Sequence, residues 1–217
     1  NVRLSLPEDS PCELFHTETK LTPSQLRQWQ YQPPPVHEHQ AVAAWMQAPF
    51  KEYLSLPQIK LPPPASAAPD KTLDLPCLAA LLQQPAEITS LELYLLASDL
   101  DGIPPGLHHY NKRTHCLETF PSNVRPEQPL RQQMPENAAG LLIVTGVLTR
   151  MRLQHGERGY RYMLFEAGRV QERLSAAAAT LGFSVELLPD FFDDAVNALL
   201  GLDGVEESAL FFAALRQ

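Results

Sequence analysis

Residues 156–183 read GERGYRYMLFEAGRVQERLSAAAATLGF, and this stretch decides the fold. Leu164, Ala167, Val170, Leu174, Ala177, Ala178 and Leu181 recur at spacings of three and four, the pattern of a helix that buries one stripe. Ala176, Ala177, Ala178 and Ala179 are strong helix formers, and their small side chains let another backbone approach closely. Gly182 supplies the left-handed residue that closes many helices. The FSVELL that follows reads as a strand. The stretch therefore predicts one long helix, ended by glycine and followed by a strand.

Working upstream, GLLIVTGVLT at 140–149 is a buried strand by its length and β-branched content. Only Thr145 among residues 141–148 is neither apolar nor small, so both faces of this strand should be covered. His155 falls just after it, at what the pattern makes a strand end. Residues 91–97, LELYLLA, form another apolar strand. DGIPPG at 101–106 is a turn, because proline presets φ and glycine accepts positive φ. LHHYN at 107–111 then pairs with CLETF at 116–120 as a hairpin. Leu73, Leu75, Leu78, Leu81 and Leu82 share a helical face that Pro85 stops. Downstream, residues 190–201 read as a helix opened by acids and closed by Gly201, and residues 210–215 as a last strand.

The expected fold is α+β: a mainly antiparallel sheet around a long central helix, in a domain of residues 71–217. Residues 1–70 read instead as a proline-rich arm lying over something else. Short helices are expected at 22–29, with Thr22 as N-cap and Gln25 in the capping-box position, and at 40–47. Extended chain is expected around residues 49–53 and 59–64. The chain has 21 prolines, concentrated before residue 136.

Composition narrows the function. The chain has 217 residues, 44% hydrophobic and 19% charged, with a formal net charge of −8. Without a basic stripe, that charge argues against a nucleic-acid partner. No apolar run is long enough for a membrane span, and the first residues lack a signal peptide, so a cytoplasmic protein is expected. Three widely spaced cysteines, Cys12, Cys77 and Cys116, fit a reducing compartment. His108 and His109 alternate across a strand and so point to opposite faces, while His37 and His39 lack a third ligand nearby; no metal is expected. Asp193 and Asp194 read as a helix first turn rather than a general acid–base pair.

Several segments carry a family likeness. GYRYMLFEAGRV at 159–170 with LGF at 181–183 resembles the central helix of the SagB-type dehydrogenases, which have the nitroreductase fold and include flavin-dependent azoline oxidases. Phe15, His16, Thr19, Lys20, the FKEY of 50–53, the hairpin of 107–117, and Phe192, Asp193, Leu200, Gly201, Asp203, Gly204 and Glu207 are similar to other segments of that family, in order. The resemblance implies a nitroreductase-like fold, FMN as cofactor and a dimer. It implies His155 and Tyr160 as catalytic candidates, because a lysine–tyrosine pair of azoline oxidases is matched by Gln154 and His155. Arg150 and Arg216 are the candidates to bind the flavin phosphate.

The family's arginine-rich element and its glycine loop have no counterpart here. Between residues 61 and 82 Lys71 is the only cation, and residues 75–92 contain no glycine. Two readings follow. In the first, the chain is a degenerate member without flavin chemistry of its own, serving as scaffold, substrate-binding module or partner in peptide or natural-product modification. In the second, it is an active FMN oxidoreductase whose site a partner subunit completes. The implied partners are a second copy or an intact homologue, and a peptide substrate.

Overall fold

The computed structural model describes residues 10–20, 22–24, 50–63, 73–98, 100–121, 135 and 138–216. In chain order its elements are α1 (Pro11–Glu18), β1 (Gln58–Lys60), α2 (Leu75–Gln83), β2 (Leu91–Ala97), β3 (Gly106–Asn111), β4 (Cys116–Thr119) and β5 (Ala138–Val147). Then follow α3 (Leu148–His155), a 3-10 turn (Gly156–Arg158), α4 (Gly159–Leu181), β6 (Ser184–Leu188), α5 (Asp193–Leu200) and β7 (Glu207–Arg216). The seven strands form one sheet in the order β1-β4-β3-β2-β5-β7-β6, and each neighbouring pair is antiparallel.

β2 and β5 lie inside this sheet, and β2 is buried along its whole length. A strand covered on both faces reads as a continuous apolar run, which is why neither sequence alternates. The two-residue pleat still divides the side chains. Leu93, Leu95, Leu142, Val144, Ala213 and Leu215 pack with α2 and α4 on one face. Tyr94, Leu96, Leu141, Ile143, Phe212 and Ala214 pack with Val196 and Leu200 of α5 on the other.

α4 covers the first face through Met163, Ala167, Val170, Leu174 and Ala178. Leu164, expected in that stripe, points outward at 41% exposure, and Met163 takes its place. α4 begins at Gly159 rather than Gly156. The segment after β5 does not continue as strand to 149 but turns at once into α3. Met151 is the one buried residue of α3, so no apolar stripe announced that helix in the sequence. His155 therefore closes a helix rather than a strand. A Cβ on Gly159 would come within 2.5 Å of the Met151 carbonyl oxygen, so α3 and α4 meet backbone against backbone. Gly182, at φ 90°, closes α4 as the sequence predicts.

Two N-terminal pieces dock on this body. α1, not expected from the sequence, lies against the start of α4, where Phe15 sits edge-on to Tyr160 at 5.1 Å. Arg161 Nε donates to Thr19 Oγ1 at 2.6 Å, and Arg158 Nη1 to the Thr19 carbonyl at 3.0 Å. β1 extends the sheet beyond β4. The helices expected at 22–29 and 40–47, with His37 and His39, lie largely or wholly outside the described residues. No described helix is long and apolar enough to cross a membrane.

Candidate functional site

Tyr160 lines a cavity of about 250 Å³ between α1, α3 and α4, with Phe15, Leu148 and Thr19 as walls and Glu18, Arg152 and Glu157 beside them. Arg152 Nη2 donates to Glu157 Oε1 at 2.9 Å. His155, the other catalytic candidate, does not line this cavity. Its ring lies 4.6 Å from that of Tyr162, on the other side of the 3-10 turn in sequence. The structure thus does not bring His155 and Tyr160 together around one cavity.

The two phosphate candidates are also apart. Arg216 pairs in register with Ala138, at the start of β5, while Arg150 follows three residues after that strand's end. Ten residues of strand separate them by about 30 Å. Each guanidinium already holds a carboxylate: Arg150 Nη1 lies 2.5 Å from Glu92 Oε1, and Arg216 Nη1 lies 2.5 Å from Glu186 Oε2. Arg150 also donates to the Thr89 carbonyl at 2.6 Å. A flavin phosphate needs convergent cations. Arg150 and Arg216 do not converge, so these two residues do not make one phosphate site.

The densest group of titratable side chains is one that sequence reading missed. Strand register builds it. Tyr94 of β2, His109 of β3 and Glu118 of β4 lie opposite one another in a row. Two residues along, on the same face, stand Glu92, Thr145 and Asn111. His109 Nδ1 is 2.8 Å from Glu118 Oε2, and Asn111 Nδ2 donates to Glu118 Oε1 at 2.8 Å. Glu92 faces Arg150 on one oxygen; on the other it faces Lys112 Nζ and His109 Nε2, each at 3.6 Å. Glu207 accepts from Thr145 Oγ1 at 2.7 Å and from Lys51 Nζ at 2.8 Å.

Residues 51–53 form a strap across this group. Lys51 N donates to Glu92 Oε1 at 3.2 Å, and Tyr53 N donates to Glu118 Oε2 at 3.1 Å. Lys51 Nζ also reaches Tyr94 Oη at 2.9 Å, and Glu52 pairs with Arg113. The Tyr53 ring packs edge-on to His109 at 5.1 Å and to Phe120 at 4.9 Å.

The electrostatics follow from this enclosure. Burial alone would raise the Glu92 carboxyl; His109, Lys112 and Arg150 overcome it and pull it down to about 2. Burial likewise disfavours a charged His109, yet Glu118 and Glu92 win and hold the imidazole above its ordinary value. Burial, then Glu207, pushes the Tyr94 phenol up. His108 faces the other way, with Nδ1 3.0 Å from Thr119 Oγ1 and Nε2 2.9 Å from the Pro104 carbonyl, and burial lowers it. His109, Glu92 and Glu118 are buried, and the two carboxylates anchor the strap. The sequence signal was a single acid, Glu92, inside an otherwise apolar strand: a buried carboxylate demands partners.

The profile of the nitroreductase family matches residues 77–214. A nitroreductase-type protein of Methanocaldococcus jannaschii is 26% identical over 114 residues, which is 51% of this chain and 58% of that protein. A crystal structure of a nitroreductase-type protein from Anabaena variabilis aligns with a TM-score of 0.72 at 24% identity, over 94% of this chain and 45% of that one. A chain of the E. coli microcin synthetase McbBCD complex, solved with truncated pro-MccB17 bound, aligns with a TM-score of 0.58 at 14% identity, over 99% of this chain and 84% of that one. The chain thus spans less than two thirds of the first two.

Proposed function

The chain belongs to the nitroreductase family, and from that premise we propose that it is a degenerate SagB-type member that does no flavin chemistry by itself. It serves as a substrate-binding or scaffolding subunit beside an intact homologue, in the modification of a peptide or related natural product. The observation that carries this reading is the placement of Arg150 and Arg216: they stand at opposite ends of β5, and Arg150 is held by the buried Glu92 while Arg216 pairs with Glu186 at the surface. The cavity beside Tyr160 supplies a place where a side chain of a substrate can lodge. The pairing with an active homologue draws on the shared fold of the microcin synthetase chain, which works in a complex.

Titration of the purified protein with FMN, followed by flavin fluorescence and visible spectrum, tests the reading. The expected result is no perturbation at micromolar flavin. Losing charge-assisted hydrogen bonds of about 1.5–3 kcal/mol each weakens binding roughly tenfold or more per bond. Micromolar binding with a shifted spectrum would overturn it.

A second reading, an FMN oxidoreductase whose site a partner completes, is favoured by the outward face of α4. Leu164 is 41% and Phe165 67% exposed there, and Gly168 has nothing within 4 Å of where its Cβ would stand. Apolar side chains beside an open glycine suit close approach of another helix. FMN bound by the complex in excess of what the intact homologue binds alone would establish this second reading.

A further inference from the structure

We propose that residues 51–53 are a proton-controlled strap, closed over the sheet while His109 is an imidazolium between Glu92 and Glu118 and released when that ring loses a proton. The geometry carries this. The two carboxylates that flank His109 are the same two that accept the strap's backbone N–H groups, from Lys51 and Tyr53. His109 and Glu118 are both fully buried. Glu92 has Lys112 and Arg150 as further counter-charges. Among the described residues, Glu118 has no lysine or arginine within ion-pair distance; His109 is its cation.

The ring is faced by Glu118 from β4, by Glu92 and Tyr94 from β2, and by Tyr53 from the strap. Lys112, Arg150, Asn111 and Glu207 act on it through those neighbours. With both nitrogens protonated, Nδ1–H bonds Glu118 Oε2 at 2.8 Å and the charged ring faces Glu92 Oε2 across 3.6 Å as an ion pair. With the proton on Nδ1 alone, the bare Nε2 lone pair faces Glu92 Oε2 at 3.6 Å, and among the described residues Nε2 has no hydrogen-bond partner. The buried group then carries one more uncompensated negative charge, which only water can solvate. The Tyr53 ring and the Lys51 N–H to Glu92 stand in the way of that water, so hydration and strap release are one event. The carboxylates raise the affinity of folded His109 for its proton. Closure is therefore complete below the unfolded value near 6.5 and is lost as pH rises through the higher folded value. Lys51 keeps its charge across that window, because Glu207 holds its ammonium above the ordinary value against burial.

The closed strap holds Lys51 Nζ on Glu207 and Tyr94, so trypsin should reach the Lys51–Glu52 bond only once the strap has lifted. The rate of cutting at the Lys51–Glu52 bond is measured by mass spectrometry from pH 6 to 9 on the intact protein, normalised to an unstructured peptide with the same bond. Exchange of the Lys51 and Tyr53 amides, corrected for intrinsic rates, is followed in parallel. Normalised cleavage is expected to rise about tenfold per pH unit through the window. Glu118→Gln retains the shape and the acceptor but removes one carboxylate, and should move release to lower pH. His109→Gln should be cut rapidly at every pH. Flat cleavage and protected amides in the wild type from pH 6 to 9 would overturn the proposal, as would an unchanged release pH in Glu118→Gln. Imidazole NMR of the wild type reads the same titration without any variant; a His109 that stays charged past pH 9 or neutral at pH 6 refutes it.

Discussion

The Arg150 guanidinium lies on the Glu92 carboxylate, Nη1 to Oε1 at 2.5 Å, with the Glu92 side chain only 1% exposed. Arg150, a candidate phosphate ligand by resemblance, is thus paired with a buried carboxylate in the fold. Breaking a buried pair from one side leaves an uncompensated charge, at about 3–5 kcal/mol. Arg150→Ala should lose stability on that scale in urea unfolding, with Lys112 blunting the loss. A change below 1 kcal/mol would show that Arg150 is free for another role.

Glu92 also sets the acid limit. Its folded value near 2 lies below the unfolded 4.5, so its contribution is full above pH 4.5 and lost as pH falls through about 2. The difference corresponds to about 3 kcal/mol. Glu92→Gln should be less stable at neutral pH and should show a flatter decline between pH 4.5 and 2. Parallel acid-unfolding curves for the two proteins would assign that slope elsewhere.

Val144 is fully buried on the α4 face of β5. Val144→Asp places a lone carboxylate there, costing several kcal/mol, enough to unfold a marginal domain. A soluble variant with an unaltered melting temperature would contradict the placement of β5.

Three glycines predict three different outcomes on substitution by alanine. A Cβ at Gly146 would meet Met163 Sδ at 2.5 Å and Leu210 Cδ1 at 2.9 Å, both flexible ends, so Gly146→Ala should cost about 1–3 kcal/mol. Combined with Met163→Ala it should cost less than the sum, because the two share one space. At Gly159 the obstacle is the Met151 backbone, which cannot yield locally, so Gly159→Ala should cost more than Gly146→Ala. At Gly168 there is open space in a helix, and Gly168→Ala should stabilise the isolated chain by about 0.5–1 kcal/mol. Chemical denaturation of the set ranks them, and any other order refutes the packing described at α3 and α4.

Much of the sheet was legible because long apolar runs such as LELYLLA and GLLIVTGV leave few alternatives. The end of α4 was legible because Gly182 has one obvious use. α3 was not: LTRMRLQH buries only Met151, and a helix without a stripe has no periodic signal. Leu164 was misplaced because Met163, one residue earlier, continues the same three-and-four spacing equally well. The His109 group was invisible for a different reason. Its members lie on β2, β3, β4, β5, β7, α3 and the strap, and the pairing of Tyr94 with His109 and of His109 with Glu118 brings its centre together. The candidates Arg150 and Arg216 came from likeness to a family, which carries residue type but not the partner each one has taken.

β7 comes last among the elements, yet it lies between β5 and β6. While the chain is being made, β5 has β2 on one side and nothing on the other. Its ten residues, AAGLLIVTGV, carry no charge and no proline. An open edge of that composition is a template for pairing with another molecule. It stays open through the synthesis of α3, α4, β6 and α5, and β6 has no strand to join until residues 207–216 insert. The exposure to aggregation is therefore a matter of timing. Conditions that thin out nascent chains, such as slow induction at low temperature, should raise the soluble yield more than any change to the finished surface.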